Sequence, residues 1–294
     1  KRQIMVNIFS KILKSKMHLR FVFNPLIRYN SNLMSKYIGF NQVQRDTPII
    51  VSLTSYEAHF KDLEISLYSL LNQSLKPDRI ILWLSDEIKS LNDLPYEITK
   101  YIKNGLEIRI IKDIGVYTNT IYAIKEFPEA IIVSADDCIY YPAKWLEKLY
   151  HSYIAHPKDI QTHLAHRVVL KKKKISEFKN WEKFVQEESA RFDNFAIKTG
   201  GILYPPNCFP SEVLRNDIYL KYAPTADDIW FWVMALLSNR KIRVVKNHIK
   251  TLSYINLIHH VLQLSQNKIC KQNDEQIKNL LKFYKNNILQ KIIK

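Results

Sequence analysis

From Thr47 to about Lys250 the chain alternates short runs of β-branched and other apolar residues with stretches of helical periodicity. That alternation restricts it to an α/β fold built on a largely parallel sheet flanked by helices. Ile49-Ile50-Val51-Ser52-Leu53 reads as a first strand buried on both faces, because its apolar residues run on instead of alternating with polar ones. Leu63, Leu67, Leu70 and Leu71 mark the buried face of the helix that follows, and Ile80-Ile81-Leu82-Trp83-Leu84 is a second buried strand. Leu106, Ile108 and Ile110 alternate with Glu107 and Arg109, which predicts a third, half-exposed strand near the sheet edge. After a helix around Tyr117 to Lys125, Ile131-Ile132-Val133 forms the fourth strand. Pro142 is placed at the first position of a helix whose buried face is Trp145, Leu149 and Tyr153.

The flanks differ from this core. No acidic residue precedes Asp46, while the same stretch carries nine Lys and Arg, so 1–46 is read as a basic arm before a 47–250 core domain and a 251–294 helical extension. Ile4, Met5, Ile8, Phe9, Ile12 and Leu13 recur at helical spacing, giving an amphipathic helix that suits either an anionic lipid interface or packing on the domain. Ile277, Leu281, Tyr284, Ile288 and Ile292 give the extension a similar face, read as a lid, a dock or a second membrane contact. A formal charge of +16 points to anionic partners: nucleic acid, membrane surface, nucleotide diphosphate or acidic glycan. Three widely separated cysteines form no disulfide framework and no CxxC site, which fits a reducing compartment. No run approaches the roughly 18 to 20 apolar residues needed to cross a bilayer, so the expected location is cytoplasmic, peripheral on the inner membrane face.

In open α/β sheets ligands bind beyond the carboxyl ends of the strands. Thr54-Ser55-Tyr56 follows strand one, Ser85-Asp86 strand two and Ala135-Asp136-Asp137-Cys138 strand four, so hydroxyls and carboxylates converge on one rim. There Asp136 suits ribose hydroxyls, and Asp137, with Asp136, suits a divalent cation held on hard oxygens against a diphosphate; the plainer reading has one acid capping the next helix. A second pair, Asp227-Asp228, opens a helix with Thr225 three residues before Asp228. That spacing serves either as a capping box or, through a spare carboxylate, as a general base, with Asp228 favoured. Thr199-Gly200-Gly201 supplies two of only five glycines and reads as a loop letting backbone approach a ligand. Tyr204 and Trp230 are candidate acceptor contacts by stacking, while Trp232 reads as core. His163 and His166 invite a metal reading, though strand hydrogen bonds suit them better. Arg167 is a candidate phosphate contact, and Lys171 to Lys174 reads as a solvated turn.

TPIIVSLTSY, SLLNQSLKPDRIILWLS, IIVSADDCIYYPAKWLEKLY, GGILYPP and APTADDIWFWVMALL, taken in order over about Thr47 to Val245, resemble bacterial family 2-like glycosyltransferases. The resemblance implies a GT-A fold, a nucleotide-diphosphate sugar donor, Mn2+ or Mg2+ as cofactor, and transfer with inversion to a glycan or lipid-linked glycan acceptor of surface polysaccharide or lipooligosaccharide. It places Asp86 at the nucleobase, Asp136 and Asp137 at the start of a run whose third acid is here Cys138, and Asp228 as the base. A cysteine is a poor ligand for Mg2+ or Mn2+, which puts the cofactor in question. Two other readings compete. A basic nucleic-acid-binding protein would explain the charge, but no such module is visible, so nucleic acid is not expected as a partner; a GT-A scaffold that has lost catalysis would explain Cys138.

Overall fold

The computed structural model describes residues 24, 39–41, 43, 45–249, 253–254, 266–284 and 288–293. The helix expected from Ile4 to Leu13 lies outside them.

Strands β1 (Ile49–Thr54), β2 (Arg79–Ser85), β3 (Leu106–Ile111) and β4 (Ile131–Ser134) form the parallel half of an eight-stranded sheet. After β5 (Ile139–Tyr140), the other half draws on β6 (Ile160–Thr162), β10 (Ala190–Arg191), β12 (Ile202–Tyr204) and β13 (Ile242–Val244). Smaller ladders pair β7 (Ala165–Arg167) with β11 (Asn194–Ala196), β8 (Leu170–Lys171) with β9 (Lys174–Ile175), and β5 with β14 (Ser253–Tyr254). In the main sheet the order is β10-β13-β6-β12-β4-β1-β2-β3, so β3 is an edge strand, as its alternating pattern predicts. β1, β2, β3, β4, β6 and β13 point one way, and β12 and β10 run against them.

Helices cover both faces, which is why the strands are apolar throughout. Along β1, Ile49, Val51 and Leu53 face one core and Ile50 the other, following the two-residue period of a strand. The first core is closed by α1 (Phe60–Leu71), α2 (Tyr96–Thr99) and α4 (Trp145–Ala155), and the second by α3 (Thr118–Glu126), α5 (Asn216–Tyr222), α6 (Asp227–Leu237) and α7 (Gln266–Phe283). Leu63, Leu67, Leu70 and Leu71 of α1 are all fully buried, as their spacing requires. Pro142 does not open α4. The helix begins at Trp145, whose N–H reaches back to the Pro142 carbonyl, so the proline lies in the turn before it.

Beyond the sheet, Ile277 and Leu280 of α7 and Ile288, just before α8 (Leu289–Ile293), sink into the second core. This apolar face is therefore docked on the protein. No helix among the described residues is long and apolar enough to cross a membrane.

Candidate active site

The topology assembles the rim. β1, β2 and β4 end at Thr54, Ser85 and Ser134, and the residues following them lie at one sheet edge. β12 contributes from the opposite direction: because it is antiparallel, with Ile202 opposite Ser134 on one side and Thr162 on the other, its preceding residues Lys198 to Gly201 reach the same rim. A tight strap holds them there. Trp145 Nε1 donates to the Gly200 carbonyl at 2.8 Å and Thr162 Oγ1 to the Gly201 carbonyl at 3.1 Å.

This strap corrects the reading of Gly200 and Gly201 as backbone drawn close to a ligand. A Cβ at Gly200 would lie 2.8 Å from Leu164 Cβ, and one at Gly201, where φ is +79°, would lie 2.3 Å from the Trp145 indole. Both glycines are needed for packing against the protein's own side chains.

The strand-end acids have unequal surroundings. Asp137 is buried and its Oδ2 accepts from Ser55 Oγ at 2.6 Å and lies 3.1 Å from His59 Nδ1. The hydrogen bond to Asp137 raises the His59 pKa, against burial, which lowers it; Asp62 adds to the rise. Tyr56 Oη, 2.6 Å from His59 Nε2, extends the chain to the exposed surface. Asp136 has no such support for its carboxylate. Burial, reinforced by Asp137 and Asp227 and opposed by Lys198, pushes its pKa up to about 6. Cys138 is buried and its thiol is pushed far up by burial and by Asp136, Asp137 and Asp62, so it stays protonated at neutral pH.

The helix-start acids repeat the asymmetry. Asp227 Oδ2 pairs with Lys198 Nζ at 2.8 Å. Asp228 Oδ2 receives the Lys198 backbone N–H at 3.3 Å, and its pKa is raised well above the usual carboxylate range by burial and by Asp227, with Lys198 opposing. Asp228 is among the residues lining a small recess with Ile202, Phe231 and Trp232. Neither acid caps through the expected box. The N-cap is Ala226, without a side-chain bond, and the Thr225 hydroxyl instead accepts from Gln276 Nε2 of α7 at 3.0 Å. Burial opposes the charge on Lys198, but Asp227, Asp136 and Asp228 outweigh it and raise its pKa. One ammonium group thus feels acids about ninety residues apart in sequence, bonded to Asp227 and acting at longer range on Asp136.

Other expected contacts are spent elsewhere. Thr54 Oγ1 donates to the Trp83 carbonyl at 2.8 Å. Asp86 is exposed, near Asp113 and Tyr122 and outside the acid cluster. Tyr204 and Trp230 are not available for stacking on an acceptor: Tyr204 packs on Phe209 and Phe231, and fully buried Trp230 donates to the Val213 carbonyl. His163 Nδ1 accepts the Ile249 N–H and so Nε2 donates to the Trp145 carbonyl; His166 Nδ1 accepts the Phe184 N–H. Burial lowers their pKa values to about 4 and about 3. They are neutral structural histidines, not a metal pair. Arg167 is engaged by Glu187 and Ser189. Lys172 and Lys173 form the left-handed, exposed tip of the β8–β9 hairpin, the solvated turn expected. His59 and Lys198 escape a motif reading, although each had a signal: His59 follows Tyr56 by three residues at a strand end, and Lys198 stands beside the glycine pair.

The donor set does not fit a divalent cation. Among the described residues no three His, Cys, Asp or Glu side chains converge to hold one. Asp137 Oδ2 is occupied by Ser55 and His59, Cys138 is a protonated thiol where a hard ligand is required, and a cationic Lys198 already stands among the remaining carboxylates.

No protein-family model and no curated protein matches the chain. Solved structures similar to it include S. aureus TarS 1-349, at TM-score 0.45 and 15% identity over 69% of this chain and 59% of that one. The inositol-1-phosphate CTP transferase from T. maritima is similar at TM-score 0.43 and 10% identity, over 80% of this chain and 98% of that one. At these scores neither likeness assigns an activity or a residue role to this chain, which spans little more than half of the TarS chain.

Proposed function

We propose that this chain is a glycosyltransferase that moves a sugar from a nucleoside-diphosphate donor to a hydroxyl of a glycan acceptor. The observation carrying the proposal is the gathering of Asp136, Asp227 and Asp228 around Lys198 at the carboxyl rim of the parallel strands, with Asp137 adjoining Asp136. In this reading Asp136 accepts hydrogen bonds from the ribose hydroxyls, and exposed Asp86 contacts the nucleobase. Asp228 is the base: its raised pKa makes the carboxylate, in its ionised form, a stronger proton acceptor than an ordinary aspartate.

In the transfer, the acceptor hydroxyl gives its proton to Asp228 and its oxygen bonds the anomeric carbon. The bond from that carbon to the donor diphosphate breaks, and its electron pair leaves on the phosphate oxygen. Attack from the face opposite the leaving group inverts the centre. A surface polysaccharide or lipid-linked oligosaccharide is the acceptor class this reading favours.

The test is release of nucleoside diphosphate from a panel of uridine-, guanosine- and cytidine-linked sugars with mixed glycan acceptors. Turnover by the parent chain and its loss in Asp228→Asn are expected. Donor binding without turnover across all acceptors would support the inactive scaffold instead.

A further inference from the structure

We propose that Lys198 takes the place of a divalent cation, binding the donor diphosphate directly and stabilising the charge that builds on it as the sugar leaves; this rests on the transferase reading. A departing diphosphate needs positive charge held in position before the reaction. Of the carboxylates that would recruit a metal, Asp137 Oδ2 is taken by Ser55 and His59 and Asp227 by Lys198 itself, whereas Lys198 meets the requirement with a side chain.

Its aim is fixed from both ends. The backbone is held by its own N–H to Asp228, by the Gly201 N–H on the Lys198 carbonyl at 2.7 Å and by Trp145 on the next-but-one carbonyl. At the tip, Nζ donates to Asp227 Oδ2 at 2.8 Å and to the Val116 carbonyl at 3.0 Å. An ammonium group has three N–H donors, so a third remains for a phosphate oxygen without breaking either contact. Three acids keep the charge in place despite burial, so the site carries its cation before any ligand arrives. Lys198 also acts electrostatically on Asp136, the residue assigned to the ribose.

The test is calorimetric binding of UDP, GDP, ADP and CDP, and of the corresponding nucleosides, first in EDTA and then with Mn2+ or Mg2+. At least one diphosphate should bind in EDTA with a Kd within about threefold of its value with metal. Lys198→Ala should weaken that diphosphate by about twentyfold, the scale of a lost charge-assisted contact, and leave the nucleoside unchanged. Lys198→Arg should keep most of the affinity and guards against loss of fold in the alanine variant. Diphosphate binding by the parent chain only when metal is present would overturn the inference and leave the transferase reading standing. The inference also fails if Lys198→Ala weakens nucleoside and diphosphate alike, or neither. If no diphosphate binds in either buffer, the transferase reading falls and takes the inference with it.

Discussion

The strand-end acids and the helix-start acids are built on one plan from unrelated material. In each pair one carboxylate is given partners, Asp137 by Ser55 and His59 and Asp227 by Lys198, and its neighbour is left with a raised pKa, Asp136 at about 6 and Asp228 higher than the usual range. The paired members hold the local frame, and the others carry an electrostatic cost that Lys198 relieves only in part. Adjacent aspartates are thus made unlike by what the fold places beside each. The lesson is that a two-acid motif has two jobs, and the partner list assigns them. The difference between the pairs is equally instructive: Asp136 stands just past the end of a parallel strand, while Asp228 lines a recess among apolar side chains, and burial with Asp227 raises its pKa.

The largest expected effect separates the two raised acids by role. Asp228→Asn should lower the transfer rate by about a thousandfold, within the range for loss of a general base, with donor binding nearly unchanged. Asp227→Asn should instead disturb Lys198 and weaken donor binding. Steady-state kinetics with separate donor titrations would check both; an Asp228→Asn protein that loses donor affinity and keeps its rate would reverse the assignment.

A smaller effect would come from breaking the strap that links the pairs. Gly201→Ala forces a side chain onto a backbone at φ +79° and to within 2.3 Å of Trp145, and should cost about 3 kcal/mol in urea denaturation. Lys198 would lose its aim at the same time. If stability were unchanged, the strap would not be the rigid link described.

How much of this was legible follows from what a sequence encodes locally. The apolar runs Ile49–Leu53, Ile80–Leu84 and Ile131–Val133 appear as strands because burial on both faces leaves a continuous signal, and the rim position of Asp136 and Asp137 follows from them. The direction of a strand leaves no such signal. Ile202-Leu203-Tyr204 would read alike in either orientation, yet only the antiparallel one carries Lys198 to the rim. The glycine pair was visible and its reason was not, since Leu164 and Trp145 approach it from segments more than thirty residues away. Tyr204 and Trp230 read as candidate stacking contacts because aromatic character is local, while the burial that removes them from a ligand is not. His59 is an isolated histidine until the fold sets it against Asp137, some eighty residues on.

The raised pKa of Asp136 makes a signed prediction. Its carboxyl moves from 3.8 to about 6, so the folded protein binds this proton more tightly than the unfolded chain does. The group's contribution is therefore most favourable below about pH 4 and is lost as pH rises through about 6. Asp136→Asn should exceed the parent in stability at pH 7 to 8 by on the order of 2 to 3 kcal/mol, with the gap closing toward pH 4. Denaturation at both ends of that range would show it. A less stable Asp136→Asn protein at pH 8 would mean that Lys198 relieves this acid as fully as Ser55 and His59 relieve Asp137.

Ser55→Ala tests the supported member of the same pair and should run the other way. The hydroxyl donates to Asp137 Oδ2 at 2.6 Å in a buried position, and its removal leaves His59 and solvent to hold that oxygen. A hydrogen bond to a charged group contributes about 1.5 to 3 kcal/mol, so a loss near 2 kcal/mol at pH 7 is expected. The cycle with Asp137→Asn sharpens this: once the charge is gone the serine should be worth about half as much, whereas in an Asp136→Asn background its value should stay the same. Equal values in all three backgrounds would mean that Ser55 is held by packing and not by the carboxylate, and the partner list would then no longer distinguish Asp137 from Asp136.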